Sequence, residues 1–332
     1  MATNVLVAGA GGFIGGHLVR NLLGEGYDVR AVDCKPFPEW FQRCPDADNH
    51  QLDLREWDAC REAARGMDWI FNLAADMGGM GFIENNKALC MLSVLINTHL
   101  LMAAREHGVQ RYFYSSSACV YSADKQKCAD VVPLKESDVY PAMPEDGYGW
   151  EKLFSERMCR HFREDFGITT RVARYHNVYG PHGTWDGGRE KAPAAICRKV
   201  IVAKLTGVGD IDIWGDGNQT RSFTYITDCL DGTRRLMASI VEEPLNIGSS
   251  QMVTLNQLVN IVEHIAGVKL RRRYDLGAPK GVNGRNSDNT LIEDRLGWSP
   301  SVRLEDGMER TYRWIYDEIM AKRNAAHASI AA

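Results

Sequence analysis

Tyr148-Gly-Trp-Glu-Lys152 sets a phenol and an ammonium four residues apart, hence on one face of a helix. Upstream, Tyr114-Ser-Ser-Ser-Ala-Cys-Val-Tyr121 offers a hydroxyl at Ser117 and a thiol at Cys119. In an extended segment residues two apart share a face, so both can look into one pocket. The Lys152 charge favours tyrosinate, which poises a phenol of intrinsic pKa about 10 for proton transfer near neutrality. With Ser117 holding the same substrate oxygen, these groups suit movement of hydride and proton to or from an alcohol carbon. Cys119 alone reads as a buried structural thiol, because free cysteine packs as a small hydrophobe. Its place beside Ser117 points to chemistry beyond redox.

Such chemistry needs a hydride carrier. Asn4-Val5-Leu6-Val7-Ala8 is an apolar run of the kind a buried parallel strand makes, and it ends in Gly9-Ala-Gly-Gly12-Phe13-Ile14-Gly15 ahead of a helical pattern. Glycines there allow a tight turn, close approach to a pyrophosphate and packing of helix on strand. Asp33 ends the second strand, where it can accept hydrogen bonds from both ribose hydroxyls and repel a 2′-phosphate; NAD is therefore favoured over NADP. Lys35 reads as a solvated surface lysine. Asp53-Leu54, closing the third strand, stands where it can meet the adenine.

The elements that must carry these groups alternate. Strands are expected at 4–8, 28–32, 69–74 and 111–115, with helices at 14–24, 87–107 and 148–165. This is an α/β chain with a Rossmann-type doubly wound parallel sheet, whose sites lie at the carboxyl ends of the strands. Beyond residue 176, loops punctuated by glycine and proline and helices near 189–206, 254–266 and 304–322 indicate a smaller α+β substrate-binding lobe. The expected division is an NAD-binding domain over 1–175 with a return segment about 222–245, a lobe from 176–221 and 246–325, and a loose tail at 326–332.

The bulk composition narrows the classes. With 332 residues, 45% hydrophobic and 25% charged, the chain has ordinary globular make-up. A net charge of −4 argues against nucleic acid as the main partner. No apolar run approaches the ~20 residues of a membrane span, and no secretory leader or membrane partner is expected. The nine cysteines are irregularly spaced without a Cys-x-x-Cys pair, so neither metal nor disulfide framework is expected and a reducing cytoplasm fits.

These features together resemble the extended short-chain dehydrogenase/reductase superfamily, whose members modify nucleotide sugars. Within it the chain is most similar to the GDP-mannose 3,5-epimerase family. The motifs that carry the likeness include Ala74-Ala-Asp-Met-Gly-Gly-Met-Gly-Phe-Ile83, Ser116-Ser-Ala-Cys119, His176-Asn-Val-Tyr-Gly-Pro181 and Gly183-Thr-Trp-Asp-Gly-Gly-Arg-Glu-Lys-Ala-Pro-Ala-Ala195. Trp214-Gly-Asp-Gly-Asn-Gln-Thr-Arg-Ser-Phe223 and Gly284-Arg-Asn-Ser-Asp-Asn289 complete them. The resemblance implies that carbon 4 of the mannose ring of GDP-mannose is transiently oxidised by NAD while Tyr148 takes the hydroxyl proton. The ketone then acidifies carbons 3 and 5, Cys119 acts as base and Lys191 as acid, and the hydride returns. A thiol of pKa about 8.5 would be tuned towards neutrality by positive charge nearby. The likeness also implies Ala74 at the cofactor and Gly78, Asn177, Glu190, Ala192, Lys199, Gln219, Arg221 and Arg285 at the substrate. It implies, too, a homodimer formed through helices 87–107 and 148–165. The rivals are another nucleotide-sugar epimerase, an epimerase-reductase, and a non-catalytic NAD-sensing protein on the same fold.

Overall fold

In the computed structural model, six strands and one returning strand form a single parallel sheet. The structure describes residues 2–331, with side-chain surroundings described over 2–325; the expectation of a loose tail at 326–332 lies outside that second range. The first six strands are β1 (Asn4–Ala8), β2 (Asp28–Asp33), β3 (Asp48–Gln51), β4 (Trp69–Asn72), β5 (Arg111–Ser117) and β6 (Thr169–Tyr175). The strand Leu245–Ile247 comes back to lie beside β6, giving the spatial order β3-β2-β1-β4-β5-β6 and then Leu245–Ile247. The order reverses between β1 and β4, which opens a crevice at their carboxyl ends.

Why the strands read as continuous apolar runs is plain from their two faces. Val5, Val7, Phe71, Phe113 and Ala173 enter one buried cluster, whereas Leu6, Ala8, Ile70, Tyr112, Tyr114 and Val172 enter the other. Helices cover both sides, so alternate residues find apolar neighbours either way. Each fully buried Leu or Val contributes about 1.5–3 kcal/mol relative to exposure.

The helices are α1 (Phe13–Gly24), α2 (Trp57–Ala64), α3 (Met80–Asn85), α4 (Lys87–Met91), α5 (Ser93–Glu106), α6 (Tyr148–Phe166), α7 (Ala192–Thr206), α8 (Ile226–Ala238), α9 (Leu255–Ala266), α10 (Thr290–Leu296) and α11 (Leu304–Ala331). Two differ from expectation. The 87–107 segment breaks into α4 and α5, which meet at Leu92. The helix expected from 189 begins at Ala192, after Gly187 and Gly188 at positive φ and with Pro193 in its first turn. Proline suits that turn because its missing N–H would have no helical partner. Others stop and start on clear signals: Gly167 ends α6 in the left-handed conformation, and Thr254 with Gln257 forms a capping box for α9.

One buried ion pair ties three of these elements together beneath the site. Arg174 of β6 donates from Nε and Nη2 to the two Glu156 oxygens of α6 at 2.9 and 2.7 Å, and Ser116 of β5 donates to the same carboxylate. Both charged side chains are buried. Removing one partner leaves a charge without compensation, so Glu156→Ala is expected to destabilise the protein by about 3–5 kcal/mol in urea unfolding. A Glu156→Leu/Arg174→Met double variant is expected to lose clearly less. Equal losses in the two would contradict this account.

Candidate active site

At the end of β1 the chain turns through Gly9 at φ +84°, and α1 starts at Phe13 with no side-chain cap. The crossing leaves no room for side chains. A Cβ on Gly15 would lie 2.1 Å from the Gly9 carbonyl oxygen, and one on Gly9 would lie 2.9 Å from the Ala74 nitrogen. The uncapped α1 N-terminus thus opens on a cradle of bare backbone, as a dinucleotide pyrophosphate requires. Asp33 is buried; its two oxygens accept the N–H groups of Gly11 and Lys35, each at 3.0 Å. A carboxylate has about four acceptor positions, so capacity remains for ribose hydroxyls. These residues fit NAD.

Lys35 departs from its expected role as a solvated lysine. It is half-buried, its ammonium lies 4.9 Å from the Phe41 ring centre, and it lines the same cavity as Asp33. Asp53 follows the third strand and is held by the Arg55 side chain, with Nε–Oδ1 3.0 Å. That guanidinium holds the Asp53 carboxyl below the usual range.

A single cavity of about 760 Å³ runs from this cradle to the reactive groups. It is lined by Gly9, Gly12, Phe13, Ile14, Gly15, Asp33, Asp53, Leu54, Ala74, Tyr148 and Lys152, and also by Gly78, Ser117 and Lys191. Cys119, Asn177, Glu190, Ala192, Lys199, Gln219, Arg221 and Arg285 are not among its lining residues.

Ser117 and Cys119 meet in a way the strand pattern did not anticipate. β5 stops at Ser117, and 118–120 is a single tight helical turn. The Ser117 hydroxyl accepts the Cys119 N–H at 3.2 Å and caps that turn. The two side chains are neighbours because of a turn rather than through strand alternation.

Tyr148 and Lys152 occupy the first turns of α6. The Lys152 ammonium is almost fully buried, 3.5 Å from the Glu151 carboxylate and 5.4 Å from the Tyr148 ring centre. In the protein alone, burial pushes the Tyr148 phenol well up, Cys119 and Glu151 add to the shift, and Ser117 opposes it. The lowering expected from Lys152 is therefore outweighed by desolvation. Cys119 behaves alike: burial first and Glu145 second push its thiol up to about 11, against the pull of Arg285. The expected tuning towards neutrality is corrected accordingly, because a buried thiolate beside a carboxylate loses more hydration than one guanidinium replaces.

Lys191 is the residue just before α7; its carbonyl accepts the Ala195 N–H at 3.0 Å, while its ammonium has no hydrogen bond or ion pair among the described residues. Burial lowers its ammonium pKa, and it lies close enough to Cys119 for a thiolate there to raise it again. Arg285 reaches the thiol directly, Nη1 to Sγ 3.6 Å. Beside it Arg221 spends its donors on the carbonyls of Thr220, Lys280 and Val282. Burial and Arg285 hold Arg221 down to about 10. Arg285 is buried and Arg221 half-buried beside it, and Glu145 is the carboxylate that pairs with Arg285. Gln219 donates to the Trp214 carbonyl at 2.9 Å while its buried Oε1 has no partner among the described residues. Lys199 donates to the Asp212 carbonyl at 2.7 Å.

Three of the anticipated substrate residues have other work in this state. The Glu190 carboxylate accepts from Arg198 and from the Gly188 N–H, both at 2.7 Å. Asn177, at φ +43°, donates to the Ser222 carbonyl at 3.0 Å. Ala192 opens α7. Sequence reasoning missed Glu145 and Gln126, the partners of Arg285. It also missed the Asp76–Arg189 ion pair at 2.8 Å, which links the 74–83 strap to the loop carrying Lys191. Glu145 stands three residues before Tyr148, but no spacing rule marks it.

The fold and the glycine cradle define a Rossmann-type dinucleotide-binding enzyme. The profile of the NAD dependent epimerase/dehydratase family matches residues 5–248, and the chain belongs to that family. GDP-mannose 3,5-epimerase 1 of Oryza sativa subsp. japonica is 48% identical over 316 residues, covering 95% of this chain and 82% of that protein. The GDP-mannose 3,5-epimerase of Arabidopsis thaliana is 47% identical over the same length and coverage. Among solved structures, a UDP-glucose 4-epimerase from Thermotoga maritima superposes with a TM-score of 0.86 at 24% identity, covering 96% of this chain and all of that one; this likeness concerns the fold.

Gly15→Ala is expected to weaken NAD binding by about 1–3 kcal/mol, the usual cost of overpacking, measured by fluorescence titration. Undiminished affinity would show that the α1 cradle does not hold the pyrophosphate.

Proposed function

We propose that this chain epimerises GDP-mannose at carbons 3 and 5, giving GDP-L-galactose and/or GDP-L-gulose. The observation that carries the reading is that Lys191, whose ammonium has no hydrogen bond or ion pair among the described residues, lines one cavity with Ser117, Tyr148 and Lys152, while Cys119 adjoins Ser117. A 4-epimerase needs Ser117, Tyr148 and Lys152 but no separate acid and base, so Cys119 and Lys191 favour inversion at the flanking carbons. The 48% identity to a rice enzyme of that name over 95% of the chain supports the same substrate.

Bound NAD supplies reversible oxidation at carbon 4. Tyr148 takes the carbon-4 hydroxyl proton and later returns it, while Ser117 holds that oxygen. Lys152 carries the positive charge that steadies the ionised phenol. Once carbon 4 is a ketone, the hydrogens on carbons 3 and 5 become acidic. The Cys119 thiolate, which Arg285 stabilises, removes a proton from one face of the ring. Lys191 delivers one from the other face, and its ammonium also steadies the enolate. Arg221 and Arg285 suit the diphosphate; Lys199, Gln219, Asn177, Glu190, Ala192 and Gly78 complete the substrate contacts. Residues 1–175 with the return segment 222–245 serve the cofactor, and 176–221 with 246–325 the nucleotide sugar.

We infer a homodimer as well. Leu95 and Met102 of α5 and Trp150 and Phe154 of α6 are exposed, an apolar face on adjacent helices that a second copy would cover. Contrary to the expectation that no run approaches a membrane span, the stretch 87–106 has that length and apolarity, and a covered partner face is consistent with its composition. Nine free cysteines suit a reducing cytoplasm.

Incubation with GDP-mannose in heavy water, read by NMR, tests the reaction. Deuterium is expected at carbons 3 and 5 without accumulation of reduced cofactor, and no exchange at either carbon overturns the proposal. Cys119→Ser and Lys191→Ala are each expected to lower turnover by about 10²–10⁴-fold with NAD binding intact; retained turnover removes that residue from the mechanism. For the dimer, sedimentation of a Leu95→Arg/Phe154→Arg variant is expected to give a monomer where the parent protein is dimeric. A monomeric parent refutes it.

A further inference from the structure

Glu145 belongs to none of the motifs that mark the site, yet it brackets the thiol with both backbone and side chain. Its N–H donates to the Cys119 carbonyl at 3.0 Å. Its carboxylate, 11% exposed, accepts from Arg285 Nη2. Arg285 is held at its other edge by Gln126, Nε to Oε1 2.7 Å, which leaves Nη1 on the Cys119 sulfur at 3.6 Å. One guanidinium is thus fixed by two acceptors and presented to a thiol by its third nitrogen.

We propose that Glu145 is a positioning residue for the Cys119–Arg285 pair, orienting the guanidinium on the sulfur and setting a fixed negative charge beside it. The proposal rests on the reading of Cys119 as a base. Low polarity around the group magnifies both influences: Arg285 favours thiolate, and Glu145 opposes it. The other groups facing the thiol are Lys191 ahead of α7, Arg221 beside Arg285, the Tyr148 phenol of α6, and Cys90 of α4 in the same apolar cluster. None of these is a second carboxylate, so Glu145 is the anion that strengthens the base. A base of higher proton affinity removes a proton from a carbon beside a ketone more readily, provided enough thiolate forms. Holding Arg285 in place supplies the second condition while the carboxylate supplies the first.

The test is the pH dependence of Cys119 alkylation by iodoacetamide in the NAD-loaded protein, followed by mass spectrometry of the Cys119 peptide. The parent protein is expected to show an apparent pKa above the ordinary thiol value of about 8.5. Glu145→Gln keeps an oxygen for Arg285 and removes the charge. Its apparent pKa is expected to fall by about 1 pH unit, and alkylation at pH 8 to quicken about tenfold. Glu145→Asp, which restores the charge, is expected to return the parent profile. An unchanged pKa in Glu145→Gln overturns the proposal. A parent value at or below the ordinary one overturns it too, and that measurement requires no variant to fold. Substrate is absent throughout, so a failed deuterium exchange would tell against the reaction and leave this result standing on its own.

Discussion

The reactive centre depends on how closely the first turn of α6 approaches the turn at 118–120. A Cβ on Gly149 would lie 2.4 Å from the Cys119 carbonyl oxygen, so only a residue without a side chain lets the helix come so near. That same carbonyl accepts the Glu145 N–H from the loop leading into α6. Helix and turn are therefore locked at their point of contact. From that contact Tyr148 and Lys152 project into the cavity that Ser117 also lines. The Glu156–Arg174 pair, farther along α6, pins the same helix to β6, and Ser116 ties it to β5.

Electrostatics follows from this packing. Excluding water from the contact removes hydration from the phenol and the thiol, which pushes both up. The positive charges nearby come from three places: Lys152 from α6, Lys191 from just before α7, and Arg285 from the segment 284–285. Arg221 and Arg285 lie side by side with one carboxylate, Glu145, between them and neutrality. The imbalance is of the kind that an anionic ligand would relieve.

Much of this was legible along the chain. The β1 run, the glycine string, Asp33 and the Tyr148–Lys152 spacing are local patterns, each set by a few adjacent residues and by hydrogen bonding or sterics that act over one turn. Lys191 was legible only through its surrounding motif, since a lysine in isolation reads as surface. Glu145, Gln126 and the Asp76–Arg189 pair were not legible. Gln126 meets Arg285 across 159 positions and Asp76 meets Arg189 across 113, and no period or spacing encodes such meetings. Lys35 was misjudged for a related reason: the Phe41 ring and the Gly11 carbonyl that meet its ammonium come from the loop beyond it and from the turn after β1.

By itself, then, the sequence determined the alternating elements and the cofactor cradle, because periodicity and glycine placement act locally. Tertiary structure decided which charges face which. It set Glu145 and Arg285 on Cys119, committed Glu190 to Arg198, and left the Lys191 ammonium without a hydrogen bond or ion pair among the described residues. Those outcomes depend on which loops converge at the carboxyl edge of the sheet and on how much water they exclude. Burial and long-range convergence belong to the folded chain, and with them the acidity of every group in the site.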